Sequence, residues 1–226
     1  MAFELNDIVP WGRSFDEYVR IFDLTEDELA LTILGCADGP SSFNRKVTKR
    51  GGKAISCDPI YEFNAEQLRE RIEGTYDKVM EQTYKNERNF VWDYIKSPDE
   101  LGKIRMEVMS EFLADFETGK QQGRYLAESL PKLPFGNRHF DLALCSHFLF
   151  LYTKQLSLEF HLTSIMEMCR VAKEVRIFPL LDLDAKKSGH LPAICSELRA
   201  AGLNVDIRKV PYEFQHRGNE MMRIIC

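Results

Sequence analysis

The sequence has no CxxC pair, although it holds six cysteines, at positions 36, 57, 145, 169, 195 and 226. That scatter excludes a zinc ribbon and a disulfide framework and fits reduced core thiols. The five histidines, at 139, 147, 161, 190 and 216, fall at no metal-ligand spacing, so no metal site is expected. No apolar run approaches the roughly 20 residues that a membrane helix needs, so no membrane partner is expected. Basic charge is not in excess: the net is −5, which argues against a broad basic groove and against nucleic acid as a partner. Met1-Ala2-Phe3-Glu4 lacks the basic-then-apolar start of a secretory leader, and a cytoplasmic location is the expectation. Internal repeats, low-complexity tracts and clear linkers are missing too. What is there, 226 residues with 44% hydrophobic and 29% charged, suffices to bury a core and reads as one α/β domain over 1–226.

The chain is organised around Ile33-Leu34-Gly35-Cys36-Ala37-Asp38-Gly39-Pro40-Ser41-Ser42-Phe43. The apolar run Leu29 to Leu34 reads as a buried strand. Small residues follow at Gly35, Ala37 and Gly39, and a helix is predicted over 42–49, with Pro40 suited to its first turn. A strand, a tight small-residue turn and a helix start form a backbone cradle for a ligand. A dinucleotide fingerprint would need glycines at 35, 37 and 40, and two of these fail. The bland alternative is a structural turn in some other α/β protein.

Upstream, apolar or aromatic residues at 15, 18, 19 and 22 follow helical spacing. Thr25 with Glu28 three residues later is a capping pattern for a further short turn. Residues 1–28 are read either as a leader helix packed on the domain or as a helical flap over a ligand. In the flap reading Trp11 and Tyr18 are apolar cover and Arg13 is a donor to a carboxylate, which its fork can grip twice. Downstream, Lys53 to Cys57 is the second strand. Asp58 lies about 20 residues beyond Gly39, the distance at which an acid reaches a ribose in nucleotide-binding α/β folds. Asp58-Pro59 also makes a turn without any ligand.

Residues 62–122 exceed what one crossover needs. Helices are predicted from Ala65 to Tyr84 and from Pro98, capped by Ser97, to about Glu117. This helical insertion either covers a site and selects a substrate or extends the scaffold and makes an oligomer contact; no oligomeric state follows from the sequence. Strands are predicted over 123–127, 140–145 and 175–181, and helices over 156–171 and 191–201. A closing antiparallel pair is predicted over 203–210 and 221–225, turned by Arg217-Gly218-Asn219.

Gly35-Cys36-Ala37-Asp38-Gly39 resembles motif I of the class I S-adenosylmethionine (SAM) methyltransferases, with Ala37 in place of one glycine. Leu133-Pro134-Phe135, followed by Phe140-Asp141-Leu142-Ala143-Leu144-Cys145-Ser146-His147, is similar to that family's region around strand four. The resemblance implies a three-layer, Rossmann-like α/β fold. Its sheet would have seven strands, mostly parallel with an antiparallel last strand, and the insertion would follow strand two. It also implies SAM as cofactor. The turn Gly35, Cys36, Ala37, Asp38 and Gly39 would then hold the methionine half. Asp58 would accept from the ribose hydroxyls, with Pro59 or Ile60 packing on the adenine. Ser129 and Leu130 fall at the adenine edge, Ser129 standing where the family usually has aspartate. Ser146 and His147 would floor the site beneath the sulfonium. The family often has an acid two places before the first glycine, where this chain has Ile33; Asp38 either compensates or caps the helix.

The expected activity is methyl transfer to a small molecule or a protein side chain. His147 is the candidate base, with His190 and Tyr152 as further ones. A non-catalytic SAM- or nucleotide-binding module, or a partner subunit, is the alternative. Pro40 disfavours a nicotinamide-dependent reductase. Ser146-His147-Phe148-Leu149 is unlike the Asn/Asp-Pro-Pro-Tyr/Phe motif of adenine methylation.

Overall fold

The computed structural model describes residues 9–226, so the first eight positions of the predicted flap lie outside the described residues. Seven strands form one sheet: β1 (Thr32–Cys36), β2 (Lys53–Cys57), β3 (Tyr125–Leu126), β4 (Phe140–Ser146), β5 (Ala172–Phe178), β6 (Asn204–Lys209) and β7 (Glu220–Ile225). Their order across the sheet is β3-β2-β1-β4-β5-β7-β6. The first five strands pair in parallel; β7 runs antiparallel to both β5 and β6. This is the Rossmann-like methyltransferase arrangement that the resemblance implied.

Strand period explains the layers. Ile33, Leu142 and Leu144 point to one face, where they pack with α1 (Phe15–Ile21) and α3 (Phe43–Lys49). Leu34, Ala143 and Cys145 point to the other, against α6 (Leu158–Val171) and α7 (Leu191–Ala200). Ile33 and Leu34 are both fully buried, so truncating either to alanine is expected to cost about 2–5 kcal/mol.

Some boundaries differ from the sequence reading. Leu29 ends the one-turn helix α2 (Glu26–Leu29), because Thr25 and Glu28 form a reciprocal capping box; β1 therefore begins at Thr32 rather than Leu29. β5 follows α6 without a loop and stops before Pro179, three residues earlier at each end than predicted. Pro40 lies in the turn, and α3 starts at Phe43. The insertion contains α4 (Ala65–Lys85) and α5 (Pro98–Gln121), the latter capped by Ser97 as predicted and a turn longer. Both helices pack on the β3 edge, where Leu68, Phe112 and Phe116 surround Tyr61 and Tyr125. Among the described residues no helix is long and apolar enough to cross a membrane.

Candidate functional site

The parallel strands β1, β2 and β4 end at one rim, and a cavity of about 380 Å³ lies over them. The crevice beyond the carboxyl ends of such strands is where α/β sheets receive ligands. The turn after β1 is held by its own backbone. Ala37 donates to the Cys57 carbonyl at 2.8 Å. Its φ is +53° and that of Gly39 is +55°. Ala37 thus keeps a left-handed conformation that glycine adopts without strain, at roughly 1–2 kcal/mol for a residue with a Cβ. Gly39 is gripped from both sides: its N–H donates to Asp58 Oδ2 at 2.9 Å and its carbonyl accepts from the Tyr61 hydroxyl at 2.6 Å. A Cβ at Gly39 would meet nothing within 4 Å, so the turn faces open space.

Asp38 does not cap α3. Its buried carboxylate accepts from Tyr18 Oη at 2.6 Å and from Ser56 Oγ at 2.5 Å. A Cβ at Gly35 would collide with that carboxylate, which is why this position needs glycine. Burial raises the Asp38 pKa, and the two hydroxyls oppose the rise. Asp58 Oδ1 accepts from the Ile60 amide at 3.0 Å. Burial is the main influence on Asp58 and pushes it up to about 6, against the pull of its two amide bonds.

The segment before α1 lines the cavity. The Arg13 carbonyl accepts from Ser41 Oγ at 3.1 Å and from the Ser42 amide at 3.3 Å. Gly12 sits so close to the Pro40 carbonyl that a Cβ would collide with it. The Arg13 guanidinium donates through Nη1 to the Trp11 carbonyl at 2.6 Å. Its Nε is buried and finds no partner, and among the described residues no carboxylate pairs with it. Burial, then the nearby Arg105, lower its pKa.

On the opposite side, His147 adopts φ +52° and its amide donates to the Phe178 carbonyl at 2.6 Å. Its Nδ1 lies 2.8 Å from Ser146 Oγ. Desolvation first, and then Arg13 and Arg105, hold the imidazole well below its ordinary pKa, so the ring is neutral at neutral pH.

Of the residues singled out from sequence, Trp11, Arg13, Ala37, Asp38, Gly39, Asp58, Pro59, Ser129, Leu130, Ser146 and His147 all line this one cavity, as do Tyr18, Ile60 and Tyr152. Gly35 and Cys36 do not. Gly35 lies beneath the Asp38 carboxylate, and Cys36 is fully buried in the core with its thiol pKa raised by desolvation. His190 stands apart, its Nε2 at 3.2 Å from the Leu156 carbonyl and its ring edge-on to His161. Val9, Pro10, Phe148 and Glu128 also line the cavity, unpredicted. For Glu128, its place next to Ser129 was the available signal. Among the described residues no cluster of side chains could hold a metal.

A smaller chamber of about 120 Å³ adjoins the first. Trp11, Arg13, His147 and Tyr152 border both. The insertion supplies part of its wall through Val79, Thr83, Phe90 and Leu101.

No protein-family model matches the chain. Solved structures similar to it include magnesium protoporphyrin IX methyltransferase of Synechocystis PCC 6803 with bound SAM, at 10% identity over 93% of this chain and 77% of that one, with a TM-score of 0.48. A SAM-dependent methyltransferase of Aquifex aeolicus is 15% identical over 93% of this chain and 87% of that one, with a TM-score of 0.42. The fold assignment rests on the strand order itself. The uncharacterized protein MJ0045 of Methanocaldococcus jannaschii is 38% identical over 223 residues, 97% of each chain. The chain therefore belongs to the family of that Methanocaldococcus jannaschii protein, built on the class I methyltransferase fold.

Proposed function

We propose that this protein is a SAM-dependent methyltransferase acting on a small-molecule acceptor. One observation carries the reading: the turn after β1, Asp58 and Arg13, which pairs with no carboxylate among the described residues, line a single cavity that borders a second chamber at His147. At about 380 Å³ the first cavity is within the range of ligand pockets. Its donor set suits an aminoacyl-sulfonium nucleoside. Arg13, which lines the cavity, would pair its guanidinium with a carboxylate. Asp58, at the end of β2, keeps lone pairs for ribose hydroxyls beyond the two amide bonds it accepts. Pro59, Ile60 and Leu130 offer apolar surface for the base.

When bound, the sulfonium supplies an activated methyl group and leaves as a neutral thioether, so the protein's work is alignment. Asp38, through Tyr18 and Ser56, fixes α1 and β2 against the turn. Trp11 and the backbone around Gly12 cover the cavity and exclude water. His147, neutral and at the boundary, can take a proton from the acceptor.

Isothermal titration with SAM and S-adenosylhomocysteine tests the cofactor. Methyl release across a panel of acceptors then separates an enzyme from a binding module. Absence of heat with both nucleosides would refute the assignment.

A further inference from the structure

The smaller chamber differs in chemistry from the first. Its walls are Phe90 and Leu101 from the insertion, Phe178 and Pro179 at the end of β5, and Tyr212 and Phe214 from the β6–β7 connection. The Phe90 and Phe214 rings stack at 4.7 Å. Among the described residues no carboxylate lines it, and the one cation that does, Arg13, is shared with the first cavity. Two of the polar groups that remain are committed. Tyr212 Oη donates to Glu17 at 2.8 Å, and Thr83 Oγ1 donates to the Val79 carbonyl at 2.8 Å. At about 120 Å³ the chamber is close to the size of an apolar cavity that holds a single benzene ring.

At its mouth stands His147, which also borders the first cavity. His147 Nδ1 lies 2.8 Å from Ser146 Oγ, and Tyr18 Oη donates to Asp38 at 2.6 Å. Asp38 also takes the proton of Ser56 Oγ. With Nδ1 engaged by Ser146 Oγ, Nε2 is the ring nitrogen with no protein partner among the described residues, and when Nδ1 carries the proton Nε2 is a bare acceptor.

Building on the methyltransferase reading, we infer that the smaller chamber is the acceptor subsite and takes an uncharged, single-ring aromatic compound whose hydroxyl donates to His147 Nε2. The insertion, by supplying Phe90 and Leu101, sets the ring size that is admitted. Ser146, through Nδ1, positions the acceptor atom of His147 without touching the compound.

The experiment uses the whole chain saturated with S-adenosylhomocysteine, titrated with phenol, toluene and benzoate by ligand-observed NMR. Phenol is expected to bind at least tenfold more tightly than toluene, which has no donor, and than benzoate, which brings an unpaired charge. Leu183→Trp, at a half-buried position lining the chamber, is expected to weaken phenol at least tenfold while changing S-adenosylhomocysteine affinity less than twofold. Phe214→Ala should admit 2-naphthol, which the unaltered chain excludes. The ¹⁵N shifts of the His147 ring should show the Nδ1–H tautomer. Equal affinity for phenol and toluene, a preference for benzoate, or an Nε2–H tautomer would overturn the inference. Failure of the nucleoside to bind, with phenol still sensitive to Leu183→Trp, would instead refute the cofactor assignment and leave the chamber standing.

Discussion

Arg105 and Glu17 meet as a two-pronged ion pair, Nη1 to Oε2 at 2.5 Å and Nη2 to Oε1 at 2.7 Å, with neither side chain exposed. The pair joins α5 of the insertion to α1 of the N-terminal segment. Glu17 also accepts from Tyr212 Oη and from the Ser14 amide, at 2.8 and 2.9 Å. Three distant parts of the chain therefore meet at one carboxylate directly behind the wall of the smaller chamber.

Breaking this pair from one side should be costly. Glu17→Gln leaves Arg105 buried and unpaired, an expected loss of about 3–5 kcal/mol. Replacing both residues by methionine should cost less than Glu17→Gln alone. Urea denaturation of the two variants beside the unaltered chain measures both differences.

Acid should act on the same carboxylate. Arg105, by charge and by hydrogen bond, outweighs desolvation and holds Glu17 down to about 2. A depressed folded pKa contributes stability above the unfolded value and loses it as pH falls through the folded one. The contribution is about 3 kcal/mol, lost between the ordinary carboxylate range and about pH 2. Denaturation midpoints from pH 6 to pH 2 should show a decline that the double methionine variant lacks.

Asp58 has the opposite sign. Its folded pKa is raised, to about 6, so its ionised form is the less favoured one in the folded protein, and stability from this group falls as pH rises through that value. Ribose hydroxyls need the ionised form. Affinity for S-adenosylhomocysteine is therefore expected to be about tenfold weaker at pH 5 than at pH 7. Asp58→Asn should bind weakly at both pH values and remove the dependence; calorimetry at the two pH values checks this.

Arg13→Met should separate the two halves of the nucleoside. Loss of a charge-assisted contact is worth about 1.5–3 kcal/mol, so S-adenosylhomocysteine should bind at least tenfold more weakly. Methylthioadenosine, which has no carboxylate, should change less than threefold. An equal loss for both compounds would place Arg13 elsewhere than beside a carboxylate.

His147→Asn is the cleaner test of that side chain, since asparagine tolerates the left-handed backbone at φ +52° better than alanine. With an acceptor in hand, turnover should fall by about 10²–10⁴, with nucleoside affinity changed less than twofold. Unchanged turnover would remove His147 from the chemistry.

Strands such as β1 were legible as short apolar runs, whereas their arrangement in one sheet came from the resemblance; Ile33 and Leu34, adjacent in sequence, pack in opposite layers as strand period requires. Asp58 was legible from its distance to the turn. Ala37 was read as a departure from a glycine pattern, yet its backbone holds the glycine-like conformation, which composition cannot reveal. Asp38 was harder: its partners Tyr18 and Ser56 lie 20 and 18 residues away on different elements, and no local spacing signals them. The Glu17–Arg105 pair, 88 residues apart, left no trace at all. Both residues occupy helices whose exposed faces are also charged, and only packing distinguishes a buried ion from a solvated one.

The tie between Tyr18 and Asp38 bears on how the protein can be dissected. A fragment cut to start at Thr32, where the sheet begins, would strip the acid of its phenol and leave it facing the space that α1 vacates. Such a product should aggregate or unfold rather than serve as a minimal nucleoside binder, so the shortest workable version of this chain has to retain the Ser14 cap and the helix it starts.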